Sequence, residues 1–157
     1  MTIVESRSDV GAACSLLMVQ LVRGARRRIE EAVAPTGLRL NEVLALVHLH
    51  ERGPSAQQTL VELMCVDATN LVAVLNSLED AGLIERRRDR SDRRRAIVAL
   101  AAPGEQLLAQ VDRAFRQVDD EILAGLTLPE RQTLTGLLSD LVGHIAAGSP
   151  QPLDETR

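Results

Sequence analysis

Apolar residues in the N-terminal part of the chain recur with helical spacing. Between about Ala12 and Ala34 they return at steps of three, four and seven residues, until Pro35 interrupts the pattern. Proline lacks the backbone N–H that a helix interior needs, so the pattern predicts one long amphipathic helix that ends there. We expect residues 1–11 to form a flexible arm. The stripe consists of Met18, Leu21, Val22, Ala25, Ile29, Ala32 and Val33.

Three shorter apolar stripes follow, and each is preceded by a helix start signal. Asn41 and Asp67 are predicted to cap the second and fourth helices, because their side chains can accept N–H groups of a first helical turn. Ser55 and Gln58 have the spacing of a capping box for the third helix. The stripes are, in order, Val43, Leu44, Leu46 and Val47; Leu60, Val61, Leu63 and Met64; and Leu71, Val74, Leu75 and Leu78.

Two short apolar runs of strand type flank an arginine-rich segment after the fourth helix. Leu83-Ile84 leads into this segment, and the run Ile97, Val98 and Leu100 follows it. Such runs on either side of a polar tip predict a β-hairpin. Two helices joined by a tight turn and followed by this hairpin, which we term the wing, predict a DNA-binding winged helix-turn-helix over residues 40–101.

The C-terminal part predicts two more helices. Pro103-Gly104 opens the first, whose apolar residues have the 4-3-4 spacing of a coiled-coil seam. Thr127 and Glu130 have capping-box spacing at the start of the second. Residues 148–157 are polar and contain prolines, which predicts a flexible tail. The seam consists of Val111, Phe115, Val118 and Ile122, and the last helix carries Leu134, Leu137, Leu138, Leu141, Val142 and Ile145.

The predicted fold is therefore mostly α with a small β-hairpin, in one protomer of residues 12–147. The terminal helices, residues 12–34 and 103–147, carry more apolar surface than the winged helix can cover. We expect them to pack against a second copy of the chain. A two-fold dimer would place its two fourth helices one DNA turn apart, which matches a pseudo-palindromic site in double-stranded DNA.

Composition narrows the class of protein. With 157 residues, 45% hydrophobic and 25% charged, the chain is of globular type and long enough for a core. Phe115 is its single aromatic residue. Single-stranded nucleic acids are commonly bound by stacking on aromatic rings, so that mode of binding is disfavoured. Any ligand pocket is expected to be mostly aliphatic.

Basic charge is concentrated at the wing. Seven arginines and two aspartates lie between Arg86 and Arg95, a net charge of +5 in a protein of −4 overall. Such a segment is either a solvated surface or a place that meets phosphates, and its position on a hairpin favours phosphates. For the arginines at 26, 27 and 28, within the first helix, a solvated or dimer-flanking face is favoured over a phosphate contact.

The sequence offers no signal for catalysis, a cofactor or a metal. It contains no glycine-rich phosphate loop, nucleophile elbow or metal-spaced cysteine cluster. His48 and His50 diverge on a helix and cannot share a metal unless Cys14, Glu42 or His144 converges with them. No run reaches the roughly 18–20 apolar residues of a membrane span, and no signal peptide is apparent, so we expect a cytoplasmic protein.

The segment LEDAGLIERRRDRSDRRRAIVAL, Leu78 to Leu100, resembles the MarR family of bacterial transcriptional regulators. It is similar to the family's pattern of a leucine, acidic residues, a glycine, an apolar-Glu-Arg strand, Asp-x-x-Asp-Arg-Arg and Val-x-Leu. Together with the upstream helices, the resemblance covers residues 12–147. It implies a homodimer that binds operator DNA, with the fourth helix in the major groove and the wing in the minor groove. It also implies a repressor released by a small-molecule effector, often an anionic phenolic, bound between the dimerisation and DNA-binding regions.

The resemblance also implies roles for the residues at the tip of the wing. Asp92 and Arg94 match a pair in which the carboxylate orients the arginine in the minor groove, where negative potential is concentrated. Arg93 and Arg95 are expected to contact the DNA backbone or to support the wing. On the first strand only alternate residues share a face. The arginines included in the expected DNA-binding set there are Arg86 and Arg88.

The fourth helix carries no lysine or arginine, so phosphate attraction must come from the wing. Base readout is expected from Thr69 and Asn70, since asparagine can pair bidentately with adenine. Ala73 or the Thr69 methyl group could touch thymine. The predicted DNA-facing residues of this helix, which we term the α4 face, are Ala68, Thr69, Asn70, Ala73, Asn76 and Ser77.

Departures from the family pattern keep two alternatives open. Asp67 stands where members often carry serine, close to the expected path of the phosphates, and Ala101 stands where a threonine usually caps the next helix. With the acidic remainder of the chain, Asp67 favours a winged-helix protein-interaction module without specific DNA binding.

The second alternative concerns Cys14. One branch of the family senses hydroperoxides through a cysteine near the start of the first helix, where Cys14 lies in this chain, but surrounds that cysteine with tyrosines, which are absent here. We expect Cys14 to be a buried thiol, with redox sensing as the alternative, and Cys65 to lie in the core.

Overall fold

The computed structural model describes residues 7–88 and 96–147. Asp92, Arg93, Arg94 and Arg95, the tail over residues 148–157 and the first part of the arm lie outside the described residues. The elements are α1 (Arg7–Val33), α2 (Leu40–Arg52), β1 (Ser55–Ala56), α3 (Gln57–Met64), α4 (Ala68–Asp80), β2 (Ile84–Arg88), β3 (Ala96–Leu100), α5 (Ala102–Ile122) and α6 (Leu128–Ala147). This order confirms the mostly helical winged helix-turn-helix, and α1 begins earlier than the predicted start near Ala12.

The wing is part of a three-stranded antiparallel sheet in the order β1-β3-β2, where the sequence predicted a hairpin alone. Val98 pairs with Arg86 on one side and with Ser55 on the other. Because Ser55 and Ala56 take the extended backbone of a strand, Ser55 does not cap α3. Its hydroxyl donates to the carbonyl of Gly53 at 3.0 Å, and Ala56 occupies the N-cap position.

Helix α2 also begins differently from the prediction. Its N-cap is Arg39, two residues before Asn41, whose assignment as the cap was wrong. Glu42 Oε2 accepts the backbone N–H of Arg39 at 2.7 Å, which satisfies a donor that the helix itself cannot. The Glu42 side chain is buried within the fold.

Two other helix starts agree with the sequence. Asp67 Oδ1 accepts the backbone N–H of Asn70 at 2.8 Å, so Asp67 caps α4 as predicted. At α6, Glu130 Oε2 accepts the N–H of Thr127 at 2.8 Å and its hydroxyl at 2.7 Å. The hydroxyl contact, and then the backbone one, lower the pKa of Glu130. This cap is therefore complete above the carboxylate's ordinary pKa and is lost as the pH falls.

One hydrophobic core joins α2, α3, α4, α5 and the sheet. The predicted inward stripe of α4 is confirmed, since Leu71, Leu75 and Leu78 are fully buried, and only Val74 is partly covered. Leu46, Leu60, Val98 and Val111 are buried beside them. Packing on three sides fixes the rotation of α4 about its axis, and so fixes which residues it exposes.

The connection from α4 to the wing is tight. Gly82 adopts a left-handed backbone with φ of 69°, and Leu83 N–H then donates to the Leu78 carbonyl at 2.9 Å. The Leu83 carbonyl in turn accepts the N–H of Ala101 at 3.0 Å, just before α5. Ala101 gives α5 no side-chain cap, as the sequence indicated. The backbone of Leu83 thus holds the start of α5 against the base of the wing.

Two helices keep large apolar side chains exposed in the single chain. On α6 the exposed fractions run from 40% at Leu138 to 70% at Ile145. On α1 they lie between 42% and 63%. The exposed large apolar residues are Leu16, Leu17, Met18, Val19, Leu21 and Val22 on α1, and Leu137, Leu138, Leu141, Val142 and Ile145 on α6, where Leu128 of the first turn is exposed as well but is not counted in the set below. We term these two sets the α1–α6 apolar faces.

Among the described residues, no single helix has both the length and the apolar composition to cross a membrane. Helices α3 and α4 meet that test only when taken together, across a bend of 112°.

Candidate nucleic-acid interface

All six residues of the α4 face are exposed. They lie opposite the buried stripe, as the 3.6-residue period requires. Val72, which the sequence analysis did not include, is 39% exposed beside them. Its exposure follows from its position one residue after Leu71, about 100° around the helix. The surface of α4 therefore offers an apolar contact as well as hydroxyl and amide groups.

Asp67 holds Asn70 by two contacts. Besides capping through the backbone N–H, its second carboxylate oxygen accepts a hydrogen bond from the Asn70 side-chain nitrogen Nδ2. The orientation of that amide is chemically determined, since the reverse orientation would set an oxygen against a carboxylate. A serine could cap the helix but has no second oxygen for the amide. Asp67 thereby turns the carbonyl oxygen of Asn70 away from the cap.

Arg86 of β2 points to α4. Its Nη1 lies 3.1 Å from Glu79 Oε2, and its Nη2 donates to Asn76 Oδ1 at 2.8 Å. Its side chain is 25% exposed, and Nε is buried with no hydrogen-bond partner in the described part of the chain. Two residues predicted to contact DNA, Arg86 and Asn76, are therefore bonded to each other.

The remaining arginines of β2 are more open. Arg88 is exposed at the end of the strand, and Arg87 pairs with Glu85 on the opposite strand face. Their backbones pair with Ala96 and Ile97 of β3, which sets the direction in which the chain enters the tip. The described base of the wing leads directly to the segment that carries Asp92 and Arg94.

A cleft of about 710 Å³ adjoins the α4 face. Asn70, Ala73 and Ser77 line one wall, and Arg39 and Asn41 from the start of α2 line another. Arg39 is exposed and was not among the predicted site residues. A lone arginine in a turn gives no sequence signal, so its position beside α4 emerges only from the packing of α2.

The arginines at 26, 27 and 28 of α1 are paired with carboxylates, and Arg26 also lines this cleft. Arg26 and Arg27 pair with Glu30 and Glu31 one turn on, at 2.8 and 3.8 Å. Arg28 reaches Glu121 of α5 at 3.3 Å. All of these side chains are largely exposed, so the pairs contribute little to stability. This arrangement agrees with a solvated face.

The cysteines and histidines form no common site. Both cysteines are free and exposed in the single chain, so the predictions that Cys14 is a buried thiol and that Cys65 lies in the core were wrong. Cys65 occupies the turn between α3 and α4 with φ of 50°, which places it outside both helices. Within the described ranges no three His, Cys, Asp or Glu side chains are arranged to hold a metal ion.

A second cleft, of about 610 Å³, lies between α2 and α5. Leu44 and Val47 of α2 face Leu108, Val111 and Phe115 of α5 across it. Its polar lining residues are His50, Glu51, Glu105 and Asp112. The cleft thus has an apolar floor, three carboxylates and no arginine among its lining residues.

The family model described as "MarR family" matches residues 38–96, from the approach to α2 to the start of β3. The crystal structure of a Pseudomonas aeruginosa protein assigned as a transcriptional regulator is 36% identical, with a TM-score of 0.65. That match covers 77% of this chain and 93% of the other. The chain belongs to the MarR family. Members of the MarR family are transcriptional regulators, not enzymes.

Two further relatives are informative within the MarR family. A Thauera aromatica protein assigned to transcriptional regulation of the hcr operon is 41% identical over 86 residues. That alignment covers 55% of this chain, which spans about half, 52%, of the length of that relative. CouR from Rhodococcus jostii RHA1, solved with p-coumaroyl-CoA, has the same fold with a TM-score of 0.75 at 23% identity. Here 90% of this chain and 95% of CouR are covered.

Proposed function

We propose that this protein is a homodimeric, sequence-specific transcriptional repressor of the cytoplasm. The observation that carries the proposal is the exposed α4 face beside a wing whose base is built as a paired strand. In this assignment residues 40–101 bind DNA, with α4 in the major groove and Arg94 in the minor groove. Because α4 has no basic residue, the wing, helped by Arg39, supplies the attraction to phosphates.

The α1–α6 apolar faces support the dimer. Large apolar side chains exposed in such number on two helices are typical of a protein interface. Two-fold symmetry pairs the same faces of two copies and presents two α4 faces to a pseudo-palindromic operator. Cys14, Leu17, Met18 and Leu21 share one side of α1 by helical spacing, so a dimer would cover the Cys14 thiol. This favours effector control over redox control.

The direct test is a mobility-shift titration with DNA from the intergenic region beside the gene. We expect specific binding that weakens steeply with salt, since each phosphate contact adds about −0.9 to the slope of log K against log [salt]. Arg94→Ala should weaken operator binding by about 1–3 kcal/mol, and Arg113→Ala, an exposed arginine of α5, should change it little. Lack of specific binding by the intact protein at low salt would favour the protein-interaction alternative.

We infer that an effector occupies the cleft between α2 and α5. The cleft lies where α5 meets α2, the first helix of the proposed DNA-binding region, and its volume is in the range of small-molecule sites. CouR is a relative of this fold whose structure contains p-coumaroyl-CoA. In this chain, however, Glu51, Glu105 and Asp112 line the cleft without an arginine. The charge favours a neutral or cationic apolar effector over the anionic phenolics that the family resemblance implied.

A matched pair of probes tests this inference. Benzylamine derivatives should release operator DNA at concentrations about tenfold lower than the corresponding benzoates. The reason is that a lining carboxylate attracts the ammonium group of the first probe and repels the carboxylate of the second, and each such interaction near a surface is worth on the order of 1 kcal/mol or more. Anisotropy of a labelled operator reports the release. The triple variant E51Q, E105Q and D112N, which removes all three carboxylates, should lose the preference. Release that favours the benzoates, or no release by either probe, would count against this site.

A further inference from the structure

We propose that Arg86 is a positioning residue and not a DNA contact: it locks the wing to α4 and commits Asn76 to presenting its amide N–H groups. The inference rests on the proposed function, because it concerns how the α4 face reads operator DNA. It changes the expected roles of two predicted site residues. It also predicts the chemistry of the base that Asn76 can read.

The first step is the geometry of the guanidinium group. Arg86 Nη1 and Nη2 engage Glu79 and Asn76, which lie three residues apart on α4 and therefore on the same side of the helix. Arginine offers its donors in a rigid planar fork, so the two contacts fix both the strand and the helix side chains. A lysine could satisfy only one of these directions well.

The second step is charge. The Glu79 carboxylate at 3.1 Å offsets the positive charge of Arg86, whose side chain is three-quarters covered. Its Nε is buried and faces no acceptor in the described residues. The Nη–H groups that Arg86 does not use for these partners have little exposed surface to offer a phosphate, because the side chain is largely covered. Arg88, two residues on along the same strand face, is exposed instead.

The third step is the direction of Asn76. Its oxygen Oδ1 accepts from Arg86, so its nitrogen Nδ2 is turned the other way, because the reverse orientation would oppose two donors. Bidentate pairing with adenine needs the amide oxygen as well as the nitrogen. An amide that presents N–H groups instead matches acceptors of base edges, such as purine N7, guanine O6 or thymine O4. Asn70 is held in the opposite sense, with its nitrogen on Asp67 and its oxygen turned outward.

The test compares variants of the full-length protein on operator and on unrelated duplex DNA. Arg88→Gln, the matched control, should reduce the magnitude of the salt slope by about 1. Arg86→Gln and Arg86→Lys should both leave the slope unchanged and weaken operator binding about tenfold, with unrelated DNA unaffected. When binding sites are selected from DNA with randomised half-sites, both Arg86 variants should lose base preference at one position. We expect this to be the base pair at which Asn76→Ala also loses its preference.

Two outcomes separate the ideas. If Arg86→Lys binds operator normally, Arg86 is a phosphate contact. The same conclusion follows if Arg86→Gln reduces the salt slope by about 1 and weakens binding equally on both DNAs. Either result would overturn this inference and leave the proposed function intact. If Arg86→Gln does not fold, Glu79→Gln keeps the arginine and removes its partner. It should then weaken operator binding if Arg86 is a positioning residue, and preserve or strengthen binding to all DNA if Arg86 is a contact. Absence of specific binding by the unmodified protein would refute the proposed function, and this inference with it.

Discussion

Replacing Leu141 by glutamate should convert the protein to a monomer that no longer holds its operator. Leu141 lies within the apolar face of α6, 46% exposed in the single chain. In the proposed dimer the new carboxylate would be buried without a partner, which costs several kcal/mol for each copy. A monomer also loses the second half-site contact, a loss of about 10²–10⁴ in apparent affinity. Light scattering after size-exclusion chromatography and a mobility-shift titration measure the two effects.

Gln132→Glu is the matched control for that substitution. It places the same carboxylate on α6 at an exposed position on the side away from the apolar residues. We expect it to remain dimeric and to bind operator normally. A dimer that survives Leu141→Glu at micromolar concentration would show that the α6 face is not the interface.

Gly104→Ala should destabilise the fold by about 1–3 kcal/mol or more, the cost of overpacking a filled site. A Cβ at Gly104 would lie 2.3 Å from the carbonyl oxygen of Leu83 and 3.0 Å from Leu100 Cδ1. The Leu83 carbonyl is held by its hydrogen bond from Ala101, so it cannot move aside without separating α5 from the wing. This expected loss of stability is the opposite of what helix propensity predicts, since propensity favours alanine over glycine by about 1 kcal/mol.

Gly136→Ala on α6 isolates the propensity effect, since a Cβ there meets nothing within 4 Å. This variant should be at least as stable as the unmodified protein. Urea unfolding followed by circular dichroism gives both free energies of unfolding. Equal stabilisation by the two substitutions would show that α5 does not pack closely on the Leu83 backbone.

Periodicity predicted most of this fold because the buried surfaces are regular. The stripe of Leu71, Leu75 and Leu78 gave the correct inward side of α4, and Asp67 and Thr127 lie at the helix starts that their side chains indicated. The strand β1 could not be predicted in this way. Two residues are too few to form an alternating pattern, and Ser55 is extended only because Val98 pairs with it.

The exposure of the α4 face was predictable from the sequence, but the contacts that its residues make were not. Strand alternation places Arg86 and Arg88 on one face without saying whether that face meets α4 or solvent, because the answer depends on how the strand packs against the helix. Cys65 shows the same limit, since its hydrophobic character suggested the core while a left-handed turn placed it outside. Asn41 was a good cap by residue type, but Leu40 is already helical.

The short strand β1 also constrains how an effector could work. It ties the entry of α3 to β3, while Arg86 ties β2 to α4, so the helix-turn-helix and the base of the wing are joined at two points. If the proposed effector binds between α2 and α5, we therefore expect it to move these elements together. In the proposed dimer such a movement would change the spacing between the two α4 helices, so that they no longer match two half-sites one DNA turn apart.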